Sequence, residues 1–133
     1  EHRTVKPRAL IFLSLPLLLG ACAQRTPADP APVSPAAKVT GPPESCLSLV
    51  QFNETRVRND QTIDFIGAGK RVWRNTLPNR CSGLKSSGAF SYETSLTRLC
   101  DTDIIYVLHT YGGKPSLGAG CGLGQFVPVE LER

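Results

Sequence analysis

The chain has 133 residues, enough for one folded domain and too few for two of ordinary size. Its formal charge is +4, yet beyond Cys22 there are 12 Lys and Arg against 10 Asp and Glu, a balance of +2. That excludes the strong basic face of a nucleic-acid-binding domain, and no nucleic acid is expected among the partners.

Residues 1–21 read as an export signal. A basic start, HRTVKPR, precedes an apolar run from Ala9 to Leu19, and the small residues Gly20 and Ala21 follow. A spanning helix needs about 20 apolar residues; this run is far shorter and is interrupted by Pro16. Its ending, Leu19-Gly20-Ala21-Cys22, resembles the lipobox of bacterial lipoproteins. In that family the cysteine receives a diacylglycerol, the signal is cut before it, and the new amino group is acylated. The resemblance implies that Cys22 is the lipidation site and that the membrane is a partner through a lipid anchor. Two acyl chains suffice for stable anchoring. The residues after Cys22 are Ala23 and Gln24 rather than Asp. By the same resemblance this points to the outer membrane, with the domain facing the periplasm.

Residues 22–44 are expected to form the lipidated cysteine and a disordered Pro/Ala-rich linker. AQRTPADPAPVSPAAKVTGPPE carries six prolines and no large apolar residue except two valines, too little apolar surface to offset its ordering entropy.

The folded part is expected over residues 45–133, and its pattern is β throughout. TRVR (55–58) meets a turn at Asn59-Asp60, QTIDFI (61–66) alternates polar and apolar residues, and Gly67-Ala68-Gly69 turns the chain into KRVWRN (70–75). AFSYET (89–94), TDIIYVLH (102–109) and GQFVPVE (124–130) are further strands, while CLSLVQF (46–52) reads as either a strand or a short helix. The inward residues are Val57, Ile63, Phe65, Trp73, Phe90, Tyr92, Ile105, Val107 and Phe126. The 102–109 strand is apolar on both faces and so is central; Pro128 places the last strand at an edge or frays it there. The fold class is all-β: a small antiparallel sandwich or partly open barrel stapled by disulfides.

With Cys22 acylated, Cys46, Cys81, Cys100 and Cys121 remain. An exported domain of this size favours disulfides, and the absence of any C-x-x-C pair argues against a zinc site. An up-and-down meander puts Cys46 and Cys100 at one end and Cys81 and Cys121 at the other, which predicts Cys46–Cys100 and Cys81–Cys121.

No constellation for chemistry emerges. Outside the signal the one histidine is His109, which reads as a surface or packing residue. Asp101 and Asp103 read as turn caps before a strand. GAGCGLG (118–124) and GAGK (67–70) read as turns, since neither carries a phosphate-loop or dinucleotide spacing. No catalytic residue, cofactor or metal ligand is therefore expected. One surface feature stands out: Arg56, Arg58, Lys70, Arg71 and Arg74 fall in the 55–75 hairpins near Trp73. Together they suggest a patch for an anionic envelope component or an acidic envelope protein.

QTIDF, VWRNTLPNRC (72–81), GAFSYETSLTRLCDTDIIYV (88–107) and CGLGQFVPV (121–129) also resemble a family of small exported proteobacterial proteins defined only as a domain of unknown function. That resemblance implies a compact β domain in the periplasm and transfers no activity. The expected role is a non-enzymatic binding or structural module of the cell envelope. The alternative is a periplasmic enzyme or metal-handling protein.

Overall fold

The computed structural model describes residues 32–133. The segment read as an export signal, Cys22 and the part of the expected linker up to residue 31 lie outside the described residues. The regular structure within 32–133 is almost entirely antiparallel β.

Ten strands form three sheets among these residues. The largest has the order β1 (Ala37–Val39), β10 (Phe126–Leu131), β5 (Val72–Thr76), β4 (Thr62–Ile66) and β3 (Glu54–Asn59). A second joins β6 (Phe90–Tyr92), β8 (Ile104–Tyr111) and β9 (Lys114–Gly122), and a third pairs β2 (Cys46–Ser48) with β7 (Arg98–Cys100). One four-residue helix, α1 (Leu84–Ser87), bridges β3 and β8. The sheets do not close into a barrel. They share one core, in which Phe65 meets Phe52, Phe90 and Phe126 edge-on at centroid distances of 5.0, 6.3 and 5.2 Å.

Alternation explains the layering. In β4, Ile63 and Phe65 point into the core, and their cross-strand partners on β5 are Asn75 and Trp73. In β8, Ile105 and Val107 are fully buried, whereas Ile104 and Tyr106 are 45% and 37% exposed. β8 lies between β6 and β9 and so is central in its sheet, as expected, although its second apolar face stays partly exposed. The turn after β3 is set by Asn59, whose Oδ1 accepts the Gln61 N–H at 2.8 Å. Ile63, Phe65, Trp73, Ile105, Val107 and Phe126 lie in the core as expected; Val57, Phe90 and Tyr92 are half-buried against it. Leu47, Leu77, Leu84, Leu99 and Leu123 complete it from short elements and loops.

Three features depart from the sequence expectations. The ordered chain begins before Ser45: β1 pairs with β10 within the segment read as linker, and Glu44 forms an isolated bridge with Phe126. Gly118–Gly122 belongs to β9 rather than to a turn, because β8 partners Leu117 and Gly120 to Gly122 on the two sides of a bulge at Gly118-Ala119. Pro128 is not on an edge strand, since β10 lies between β1 and β5. Its carbonyl accepts the Thr40 N–H at 2.9 Å, so its missing donor faces β1, and the β1 ladder stops at Val39.

Both disulfides have the expected partners, Cys46–Cys100 and Cys81–Cys121. The meander behind that expectation does not exist, since β10 returns beside β5 and β8 lies in another sheet. Cys46 and Cys100 are instead directly opposed in the β2–β7 pair, and Cys121 ties β9 to the loop before α1.

Candidate functional site

The outer face of the five-stranded sheet, away from the aromatic core, holds the most unusual chemistry of the described residues. By register, Arg56, Asp64 and Arg74 form one cross-strand row on β3, β4 and β5. A bulge between Val57 and Asn59 turns Arg58 to the same carboxylate. Arg58 Nε donates to Asp64 Oδ2 at 2.7 Å; Arg74 donates through Nε to Oδ1 at 2.7 Å and through Nη2 to Oδ2 at 3.0 Å. Asp64 is fully buried, and the two arginine side chains are only 14% and 12% exposed. Burying a carboxylate is costly unless hydrogen bonds and opposite charge offset it, and here two guanidinium groups supply both. The Arg74 Nη2 also donates to the Pro35 carbonyl at 2.9 Å. Arg74 thereby ties the buried acid to the segment before β1.

Beside this triad lies an open groove of about 700 Å³. Ile66, Val72 and Leu131 supply its apolar surface and Pro35 closes one side. Arg56, Arg58, Lys70 and Arg133 line it together with Glu54, Glu130 and Glu132. Charge is thus nearly balanced, and the groove suits a mixed apolar and polar group better than a naked polyanion.

The five basic residues singled out from sequence do not form one free patch. Arg58 and Arg74 are turned onto Asp64, and Arg56 pairs with Glu54 at 2.5 Å. Arg71 lies over the Trp73 ring, 5.6 Å from its centroid, while the indole Nε1 donates to Glu44 Oε2 at 2.8 Å. Lys70 is exposed at the turn, with a φ of 62°. Asp64 is the hub that the sequence reading missed. Its signal was an acid inside an alternating strand, opposite arginines in both hairpin partners.

The remaining candidates have structural surroundings. Asp103 Oδ2 accepts the Cys100 N–H at 2.7 Å, so this carboxylate caps the turn before β8. Asp101 holds the same turn through its backbone N–H to the Ser45 carbonyl at 2.8 Å. The His109 imidazole lies across Gly118 so closely that a Cβ there would sit 2.5 Å from Nε2, and its ring is 5.7 Å from that of Tyr111. Among the described residues no group of three His, Cys, Asp or Glu side chains converges to hold a metal ion. No helix among them is long and apolar enough to cross a membrane.

Asp60 organises a separate corner. Its carboxylate accepts the Lys85 backbone N–H at 2.8 Å and the Arg80 guanidinium at 2.8 Å, and its carbonyl accepts the Cys81 N–H at 2.7 Å. The Lys85 N–H and then Arg80 hold its carboxyl below the ordinary value. No family model, curated protein or solved structure matches the chain, so a reading of its function rests on its own residues.

Proposed function

We propose that the chain is a lipid-anchored protein of the bacterial cell envelope whose β domain serves as a non-enzymatic binding or structural module. The observation that carries the reading is the sequence LGAC at Leu19–Cys22, placed after a short apolar run and before a proline-rich segment. The groove supports it from the other side. Pro35 lines the groove, and only residues 23–31 separate Cys22 from the first described residue, Pro32. Ten peptide steps span at most about 35 Å, so a lipid on Cys22 keeps this face near the bilayer. An outer-membrane anchor with the domain in the periplasm fits the absence of Asp after Cys22. The partner would be an envelope protein or an anionic envelope component that meets Arg56 and Lys70 around an apolar floor.

Radiolabelled palmitate tests the anchor: the cellular protein takes up label and a Cys22→Ser copy does not. Equal labelling of both, or of neither, defeats the reading. In-cell crosslinking tests the binding role. Arg56→Glu with Lys70→Glu diminishes capture of the partner, and capture unaffected by that pair removes the groove from the proposal.

A further inference from the structure

One end of the five-stranded sheet gathers features that the groove does not account for. β3 begins there at Glu54, β4 ends at Ile66, β5 begins at Val72, and Ala37 of β1 lies opposite Leu131. The chain arriving from Cys22 therefore enters the sheet at this end, where the Glu132 N–H donates to the Ala36 carbonyl at 2.8 Å. The tip of the β2–β7 ribbon is held against the same end. The Asn53 N–H donates to the Ile66 carbonyl at 2.9 Å. The turn after β4 packs so tightly on this tip that a Cβ on Gly67 would sit 2.1 Å from the Gln51 carbonyl oxygen.

The tip presents two apolar side chains to solvent. Val50 is 91% and Leu96 55% exposed, on neighbouring loops joined by the Leu49 N–H to the Thr97 carbonyl at 3.0 Å. Neither loop, 49–53 or 94–97, contains a charged residue. Much of the backbone here is satisfied from within. The Ser48 N–H donates to Gln51 Oε1 at 2.9 Å, the Gln51 N–H to the Ser48 carbonyl at 3.0 Å, and the Leu96 N–H to Thr94 Oγ1 at 3.2 Å. Unpaired backbone groups are what make entry into a poorly hydrated layer expensive, so these loops can leave water at small cost. Lys70 and Arg71 in the 67–71 turn and Arg98 at the base of the loops are exposed beside them. Of the nearby acids, Glu54 is paired with Arg56, which leaves Glu93 against three cations.

We infer that this tip docks on the bilayer that holds the chain, with Val50 and Leu96 in the interfacial layer and Lys70, Arg71 and Arg98 against lipid phosphates. The inference rests on the lipid anchor proposed above, and the anchor selects the occupant. The ten peptide steps from Cys22 to Pro32 reach at most about 35 Å, and they lead to the end of the domain where the tip lies. The surface nearest to Val50 and Leu96 is then lipid. Apolar side chains flanked by cations are what segments lying in a membrane interface carry. Two such side chains and three cations would hold a free domain only weakly. On a tethered domain, whose effective concentration at the surface is already high, they are enough to fix its orientation.

The test uses the protein purified from cells, with its acylation checked by intact mass. It is reconstituted into vesicles of phosphatidylethanolamine and phosphatidylglycerol whose acyl chains carry bromine, a quencher of tryptophan emission. Val50→Trp places a reporter at the tip. Asn79→Trp places one at the opposite end of the sheet, where the Leu77 N–H donates to the Gln61 carbonyl. Both positions are exposed, so the variants keep the fold, and the buried Trp73 of the wild type sets the background. The expected result is a fall of about twofold or more in the emission from position 50, relative to unbrominated vesicles, with position 79 unchanged. Leu96→Asp in the Val50→Trp chain, or Arg71→Glu with Arg98→Glu, restores most of the lost emission. An acylated chain quenched at neither position, or equally at both, overturns the inference and leaves the anchor standing. A chain that carries no acyl group overturns both. A photo-crosslinking residue at position 50 that captures a protein rather than lipid in cells overturns the inference as well, in favour of a protein-docking tip.

Discussion

Replacing Asp64 with alanine is the sharpest perturbation the fold offers. The wild-type carboxylate is fully buried and receives three hydrogen bonds from two guanidinium groups that are themselves 12–14% exposed. Removing it leaves two like charges close together, with little water to solvate them. Breaking a buried pair in this way costs about 3–5 kcal/mol. A domain of this size has a total stability of about 5–15 kcal/mol, so Asp64→Ala removes a large share of it. At about 4–8 °C per kcal/mol, the expected fall in Tm is about 12 °C or more. Urea unfolding with both disulfides intact measures the change, and an unaltered m-value shows that only stability has moved. The companion experiment replaces the whole triad, as Asp64→Leu with Arg58→Met and Arg74→Met. Apolar replacement of a buried ion cluster is neutral or stabilising, so the triple variant recovers most of the loss. Asp64→Ala costing less than about 1 kcal/mol would refute the reasoning, because the acid would then behave as a surface ion pair.

Gly124→Ala is strongly destabilising. A Cβ there lies 2.1 Å from the Thr76 carbonyl oxygen, and the shift it forces breaks the paired bonds between Asn75 and the Gly124 backbone, at 2.7 and 2.9 Å. Overpacking and a lost buried amide pair together give about 3 kcal/mol, read from the urea midpoint. Asp60 makes stability depend on acid. Its folded pKa is lowered from 3.8, so its contribution is present at pH well above that value and is lost as pH falls through the folded one. Asp60→Asn therefore differs most from wild type near neutrality, and midpoints measured down a pH series converge in acid; a constant gap contradicts the assignment. Reduction is the last perturbation: the bridges close loops with sequence separations of 54 and 40 residues. The chain-entropy relation gives about 4 kcal/mol for each, so the reduced chain unfolds at far lower urea than the oxidised one.

QTIDFI was legible because its alternation is complete, while TDIIYVLH was legible as a central strand because it is apolar on both faces. In QTIDFI the period of two fixed both the element and its buried face; in TDIIYVLH the buried face is decided by the packing of Ile105 and Val107 against the core. β9 escaped because SLGAGCG has no alternation to read: three glycines remove the side chains that would carry it, and pairing with β8 alone makes the stretch a strand. β1 escaped for a related reason. Its three residues lie among prolines, and its existence depends on β10 reaching it from the far end of the chain. The basic patch was misjudged in a different way. Arg56 and Arg74 lie in one cross-strand row, but a count of charges along the chain cannot show that the strand between them presents an acid. Asp64 changes two prospective ligand-binding groups into the packing of an outer face.

The two disulfides act on the elements least able to hold themselves. β2 and β7 have three residues each and no sheet beyond one another, and Cys46–Cys100 joins them at a directly opposed position. β9 loses more backbone entropy on ordering than any strand of similar length without glycine, because glycine explores more of its conformational space when unfolded. Cys121 lies near its end, bonded to the fully buried Cys81, while a tight turn through Gly112 and Gly113, both at positive φ, fixes the other end. The strand is therefore constrained at both ends and bare in the middle. A glycine-rich edge restrained only by hydrogen bonds would fray. Restrained by Cys81–Cys121, it keeps its pairing with β8 on both sides of the bulge at Gly118-Ala119. Opening that one bridge, as in a Cys81→Ser, Cys121→Ser double variant, should accordingly raise β9 hydrogen exchange before β4 or β5 is affected. Simultaneous loss of protection in all three strands would show that the edge has no local stability of its own.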